Sequence, residues 1–166
     1  MLVISAIPYS DVSSRVILAA KESHLKSADN LVTSAISYSL SHWLRTEWID
    51  TLIPIPSRPA AVRKRGRQFI EEIAKMAAIP NGISVSSPLS HVRHVRDQSG
   101  LRSEERWNNL EGAFVVKGKP EGLGRALLVD DLITTGATLT EAARALRYAG
   151  IEVIGAVTAA IAQTVR

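Results

Sequence analysis

Ala126-Leu127-Leu128-Val129-Asp130-Asp131-Leu132-Ile133-Thr134-Thr135-Gly136-Ala137-Thr138 passes from an apolar run, through two acids, into a turn of threonines and glycine. Ala126 to Val129 is apolar at every position. An exposed strand alternates apolar and polar residues, so a run without alternation is expected for a central strand covered on both faces. Beyond the turn, Leu139, Ala142, Ala143, Leu146 and Ala149 recur at helical spacing, which predicts a helix from Thr138 to Ala149 with Gly150 as its C-terminal stop. A buried strand, a polar turn and an amphipathic helix in that order form the unit of an α/β sheet, and ligands in such sheets bind beyond the carboxyl ends of the strands.

Outward from this unit the same alternation continues. Strands are predicted over Leu2–Ile7, Leu52–Ile55, Ile83–Val85, Ala113–Val116 and Val153–Ala159, where short β-branched runs are bounded by breakers. Helices are predicted from Asp29, read as an N-cap, to Arg45, and from Gln68 to Ala78; a weaker pattern covers Val12–Ser23. From Leu52 onward strands and helices alternate, as in a mainly parallel sheet flanked by helices. No repeat, low-complexity tract or long linker divides the 166 residues, so one domain is expected.

Composition narrows the classes. Hydrophobic residues make up 46% and charged residues 22%, a globular balance. No apolar stretch is long enough to span a bilayer, and the N-terminus has no basic region ahead of its apolar residues, so neither membrane insertion nor a secretory signal is expected. The chain has no cysteine. That removes disulfides, a thiol nucleophile and thiolate zinc sites, and the expected compartment is the cytoplasm. The net charge of +4 is unevenly distributed: Arg58, Arg63, Lys64, Arg65 and Arg67 form one cluster, and Arg93, Arg96, Arg102 and Arg106 another. Either could face nucleic acid, a small polyphosphate or solvent.

The turn after Val129 carries the chemistry. Adjacent carboxylates at a strand end can accept hydrogen bonds from a vicinal diol such as the ribose 2′- and 3′-hydroxyls. A turn of Thr134, Thr135, Gly136, Ala137 and Thr138 offers hydroxyls and backbone N–H groups, and the helix that follows adds a favourable dipole for a phosphate. Gly136 allows close backbone approach, and the small Ala137 leaves room for the anion. An acidic pair alone merely ends a strand and a threonine alone merely caps a helix. Together, between a buried strand and a helix, they describe a site for ribose 5-phosphate.

Leu128-Val129-Asp130-Asp131 through Thr138 resembles the 5-phosphoribosyl-1-pyrophosphate (PRPP) signature of type I phosphoribosyltransferases, and within them the chain resembles the ComF/GntX family of competence-associated proteins. Ile53-Pro54-Ile55-Pro56 with Arg63, Arg65-Gly66 and Glu71 is similar to the family's basic segment after its first core strand. Gln98, Leu101, Arg106, Asn109 and Gly112-Ala113-Phe114 are similar to its segment ahead of the signature, and Pro8-Tyr9-Ser10 with Lys21 to its N-terminal stretch. The chain departs from the family in lacking the cysteine-rich zinc module, and in reading Arg65-Gly66-Arg67-Gln68-Phe69 where the family has Arg-Gly-Phe-Asn-Gln.

The resemblance implies a type I phosphoribosyltransferase fold with a small hood, the hood drawn from residues 1–50 and 88–117 and the core from 51–87 and 118–166. It implies PRPP and an unidentified nitrogen acceptor as partners and Mg²⁺ as cofactor, bridging the ribose hydroxyls and pyrophosphate, with no direct protein ligand and with Asp130 and Asp131 reached through water. Asp130, Asp131 and Arg106 would be catalytic, and Thr134–Thr138 would hold the 5′-phosphate. Ser57, Arg58, Arg65, Arg93, Arg96 and Arg102 would face the pyrophosphate, the segment 93–106 closing over it. It also leaves open a PRPP or nucleotide sensor without catalysis, a DNA-uptake accessory protein, and a homodimer. His91 and His94 lack a third ligand and are expected to be structural or solvated rather than a metal pair. Trp43 lies on an apolar helical face and is expected in the core, while Trp107 is a candidate contact for an acceptor or a nucleic acid. Gly118 to Gly124 precedes a strand and reads as a connector rather than a phosphate loop.

Overall fold

The computed structural model describes residues 1–92, 112–118 and 121–162. Its elements in chain order are β1 (Leu2–Pro8), α1 (Asp11–Ser23), α2 (Lys26–Trp43), β2 (Thr51–Pro54), α3 (Pro59–Arg65), α4 (Phe69–Ala78), β3 (Ser84–Val85), β4 (Leu89–His91), β5 (Phe114–Val116), β6 (Arg125–Ile133), α5 (Ala137–Tyr148) and β7 (Glu152–Ile161). Five strands form a wholly parallel sheet in the order β1-β7-β6-β2-β3. β4 and β5 form a separate antiparallel ribbon.

The all-apolar run is central, as its composition requires. Alternate residues of β6 feed the two sides of the sheet: Leu127 and Val129 pack with α1, α2 and α4, while Ala126 and Leu128 pack with α5 and the ribbon. α2 buries Val32, Ile36, Leu40 and Trp43 against the sheet. The Trp43 ring lies over Gly155 of β7, so close that a Cβ there would overlap its six-membered ring. The indole N–H donates to the Ala156 carbonyl at 3.2 Å.

Several expectations change. β6 does not end at Val129 but runs on to Ile133, because β7 continues to pair with it as far as Ile133↔Ile161. Asp130 and Asp131 are therefore strand residues. α2 begins at Lys26, three residues before Asp29, which is no N-cap; its carboxylate instead receives both terminal nitrogens of Arg67 at 2.8 Å. α3 was not expected: Pro59 starts it, and none of its side chains is buried, so it has no apolar period to read. The three-residue β4 was likewise not expected. Residues 1–50, expected to serve the hood, instead supply an outer strand of the central sheet in β1 and the α2 layer that packs on it.

Candidate functional site

Parallel pairing brings two chain segments to one edge of the sheet. β2 is hydrogen-bonded to β6 with Pro54 opposite Val129, and the Ile55 N–H donates to the Val129 carbonyl at 2.9 Å. Beyond this last rung the strands diverge. Residues 55–58 leave on one side, and Asp130, Asp131 and the turn to α5 on the other. The two segments that sequence reading assigned to pyrophosphate and to ribose 5-phosphate thus leave from neighbouring strands.

Strand alternation would send Asp130 and Asp131 to opposite faces. Asp130 bends forward instead: its Oδ1 accepts the Asp131 N–H at 2.9 Å, satisfying a donor that β2 no longer reaches. This holds the two carboxyl groups close together. Asp131 is 5% exposed, and its Oδ2 lies 2.7 Å from Lys21 Nζ on α1. Asp130 is half-buried. Lost hydration and then the charge of Asp131 push its pKa well above the ordinary carboxylate range, with Lys21 opposing the shift only in part. A carboxyl group held in this way gains when a hydroxyl or cation approaches it.

The turn after Ile133 follows from its glycine. Gly136 has φ 78°, a left-handed conformation that suits glycine and aims the chain into α5. Its carbonyl accepts the first helical bond from Thr140 at 2.9 Å, so the amides before Thr140 have no partner within the helix and lie at its positive end. Thr134 is exposed, Thr135 and Thr138 half-buried. Thr135 Oγ1 accepts from the Ala137 N–H at 3.4 Å. The Ala137 methyl is buried against Ala113, so its small size also serves packing.

The loop after β2 is pinned from two sides. Gln68 Oε1 accepts the Ser57 N–H at 3.3 Å, and the Pro56 carbonyl lies 3.1 Å from His91 Nε2. His91 stacks obliquely on Phe114, centroids 4.8 Å apart, and burial lowers its pKa, with the Arg58 charge acting in the same direction. Its neutral form with the proton on Nε2 donates to Pro56, so the ribbon steadies the loop. Sequence reading gave Gln68 no role and His91 only a structural or solvated one.

The first basic cluster is largely engaged in ion pairs. Arg65 Nε is 3.0 Å and Lys64 Nζ 2.8 Å from Glu22 on α1. Arg67 holds Asp29 and Glu72 and donates to the Ala20 carbonyl at 2.6 Å. Its guanidinium also sits 5.1 Å from the centre of the Phe69 ring. The departure from the family's turn sequence thus has a use: Arg67 fastens α1 and α2 to the start of α4. Arg65, expected at the pyrophosphate, is placed against Glu22. Ser57 and Arg58 are half-buried in the loop itself. Arg93, Arg96, Arg102, Arg106, His94 and Trp107 lie outside the described residues. Lys21, now found against Asp131, was not among the candidate residues; its only signal was the likeness of the N-terminal stretch to the family.

The model of the phosphoribosyl transferase domain matches residues 60–164. The chain belongs to the phosphoribosyl transferase domain family. It is 32% identical over 111 residues to competence protein F of Haemophilus influenzae, covering 63% of this chain and 47% of that protein. It is 39% identical over 82 residues to an orotate phosphoribosyltransferase of Staphylococcus saprophyticus, covering 49% of this chain and 36% of the enzyme. The chain thus spans about half the length of competence protein F, or less for the enzyme. Among solved structures, an adenine phosphoribosyltransferase superposes with a TM-score of 0.54 at 12% identity, covering 84% of this chain and 73% of that one. The enzyme from Trypanosoma brucei, in complex with AMP, pyrophosphate and ribose-5-phosphate, gives 0.50 at 12% identity, covering 86% and 68%. The phosphoribosyl transferase fold is thereby shown from both sequence and shape. No described helix is long and apolar enough to cross a membrane.

Proposed function

We propose that this phosphoribosyl transferase domain binds PRPP at the edge formed by β2 and β6 and transfers its ribose 5-phosphate to a nitrogen acceptor, releasing pyrophosphate. One observation carries the reading. Asp130 and the Thr134–Thr138 turn follow each other into the N-terminus of α5, and the pinned loop 55–58 leaves the adjoining strand. The Asp130–Asp131 pair serves the ribose hydroxyls, the turn takes the 5′-phosphate, and Ser57 and Arg58 face the pyrophosphate. Arg106, with Arg93, Arg96 and Arg102, supplies further positive charge to the leaving group. The protein contributes position and charge: it holds C1 of the ribose open to the acceptor nitrogen and stabilises the pyrophosphate as the C1–O bond breaks.

Mg²⁺ fits this arrangement as a companion of the substrate. The described residues hold no group of three or more metal-ligating side chains, and Mg²⁺ is commonly bound by one or two carboxylates together with phosphate oxygens and water. Asp130 and Asp131 would hold it, through water, and it would offset charge on the pyrophosphate.

The transfer claim is tested by pyrophosphate release from PRPP and Mg²⁺ in the presence of purine, pyrimidine and simple amine acceptors. Release that depends on one acceptor, and is lost in Asp130→Asn, is the expected result. Tight PRPP binding without release for any acceptor would replace transfer with sensing. The DNA-accessory reading suggested by competence protein F is less favoured here, because Lys64, Arg65 and Arg67 are already paired with acids.

A further inference from the structure

Lys21 stands in the last turn of α1, and its Nζ reaches 2.7 Å from Asp131 Oδ2. Exposed ion pairs contribute little, but the Asp131 side chain is only 7% exposed. Without Lys21 it would be a buried charge lacking its partner. The neighbours of Lys21 keep it in place. The Ala20 carbonyl accepts from Arg67, and Glu22 pairs with Lys64 and Arg65. Three consecutive residues therefore tie the end of α1 to β6, to the start of α4 and to α3, and Lys21 is presented from a fixed backbone.

The two acids differ in consequence. Asp131 is turned to α1 and nearly closed to solvent, while Asp130 is the more accessible of the two. We propose that Lys21 is a positioning residue of the ribose 5-phosphate site, holding Asp131 toward α1 so that Asp130 is the carboxylate that meets the ribose hydroxyls. The inference rests on the site reading above and adds a division of labour between the acids. Asp131 acts as the anchor and Asp130 as the ligand contact, with Lys21 acting through Asp131 rather than on the ligand.

The test is calorimetric titration of ribose 5-phosphate into the wild type, Lys21→Met, Lys21→Arg, Asp131→Asn and the double variant Lys21→Met/Asp131→Asn. Each is first verified as folded by circular dichroism. Lys21→Met is expected to weaken binding about tenfold or more, the scale on which loss of a supporting outer-shell partner is felt. Lys21→Arg should restore most of the affinity. The double variant should bind no more weakly than Asp131→Asn alone, since the two side chains act as one unit. Should Lys21→Met not fold, Lys21→Gln takes its place with the same expectation. Unchanged binding in Lys21→Met would overturn the inference. So would losses that multiply in the double variant, because Lys21 would then touch the ligand itself. A folded wild type that binds no ribose 5-phosphate would sink the underlying site reading as well, and the two failures are thereby told apart.

Discussion

Replacing Arg67 with methionine should destabilise the protein severely while leaving the Thr134–Thr138 phosphate turn intact. The guanidinium makes two 2.8 Å bonds to Asp29, one of 3.0 Å to Glu72 and one of 2.6 Å to the Ala20 carbonyl. Both partners in the main pair are sheltered, with side-chain exposures of 11% for Arg67 and 12% for Asp29. Methionine fills much of the volume but leaves the Asp29 carboxylate without a cation inside the α1–α2–α4 junction. Breaking a buried pair from one side costs about 3–5 kcal/mol, and the orphaned Ala20 carbonyl adds to it. A total of about 4 kcal/mol corresponds to a fall in melting temperature of roughly 10 °C for a chain of this size. Urea unfolding followed by far-UV circular dichroism measures the loss. Asp29→Asn combined with Arg67→Met should recover part of it, because the stranded charge is gone. A loss below about 1 kcal/mol would refute the reasoning, since that is the range of solvent-screened surface pairs. Phosphate affinity, measured well below the transition, should not change. If it fell, Arg67 would belong to the ligand site after all.

Gly155→Ala should cost about 1–3 kcal/mol by driving a methyl into the Trp43 ring, and the change should appear in thermal unfolding and in Trp fluorescence. Asp130→Asn should stabilise the protein at neutral pH while abolishing ribose 5-phosphate binding. The folded-state pKa of Asp130 is raised, so the wild type loses stability as pH climbs from about 3.8 through that higher value. The advantage of the Asn variant should therefore vanish on acidification below the unfolded carboxylate value, which paired denaturation curves at several pH values would show. His91 has the opposite sign. Its lowered pKa means a contribution present above pH 6.5 and lost as pH falls through the folded value. His91→Ala should free the loop 55–58 and weaken PRPP binding more than ribose 5-phosphate binding, a contrast that parallel titrations of the two ligands would expose.

The fold around the candidate site was legible where local chemistry suffices. Ala126–Val129 announces a strand covered on both sides because burial on both faces removes alternation, and Gly136 announces the turn because the left-handed conformation favours it. Illegible features depend on partners distant in sequence. Asp130 and Asp131 read as the end of a strand, since nothing local shows that β7 goes on pairing with β6. Asp29 is a plausible helix cap until Arg67, 38 residues later, is found on it. Lys21 is an ordinary basic residue at the end of a helix until the fold delivers Asp131 to it. β4 has only three residues, too few for a period, and α3 buries no side chain at all. The arginine cluster shows the same limit in the other direction. Charge density alone left nucleic acid, a polyphosphate and solvent open, whereas Glu22, Asp29 and Glu72 already pair with much of it.

Titration of PRPP with Mg²⁺ into the wild type and into Asp130→Asn/Asp131→Asn tests the central claim most directly. The account predicts saturable one-site binding to the wild type and none to the folded double variant. Absence of binding to the wild type, or equal binding to both proteins, would contradict it.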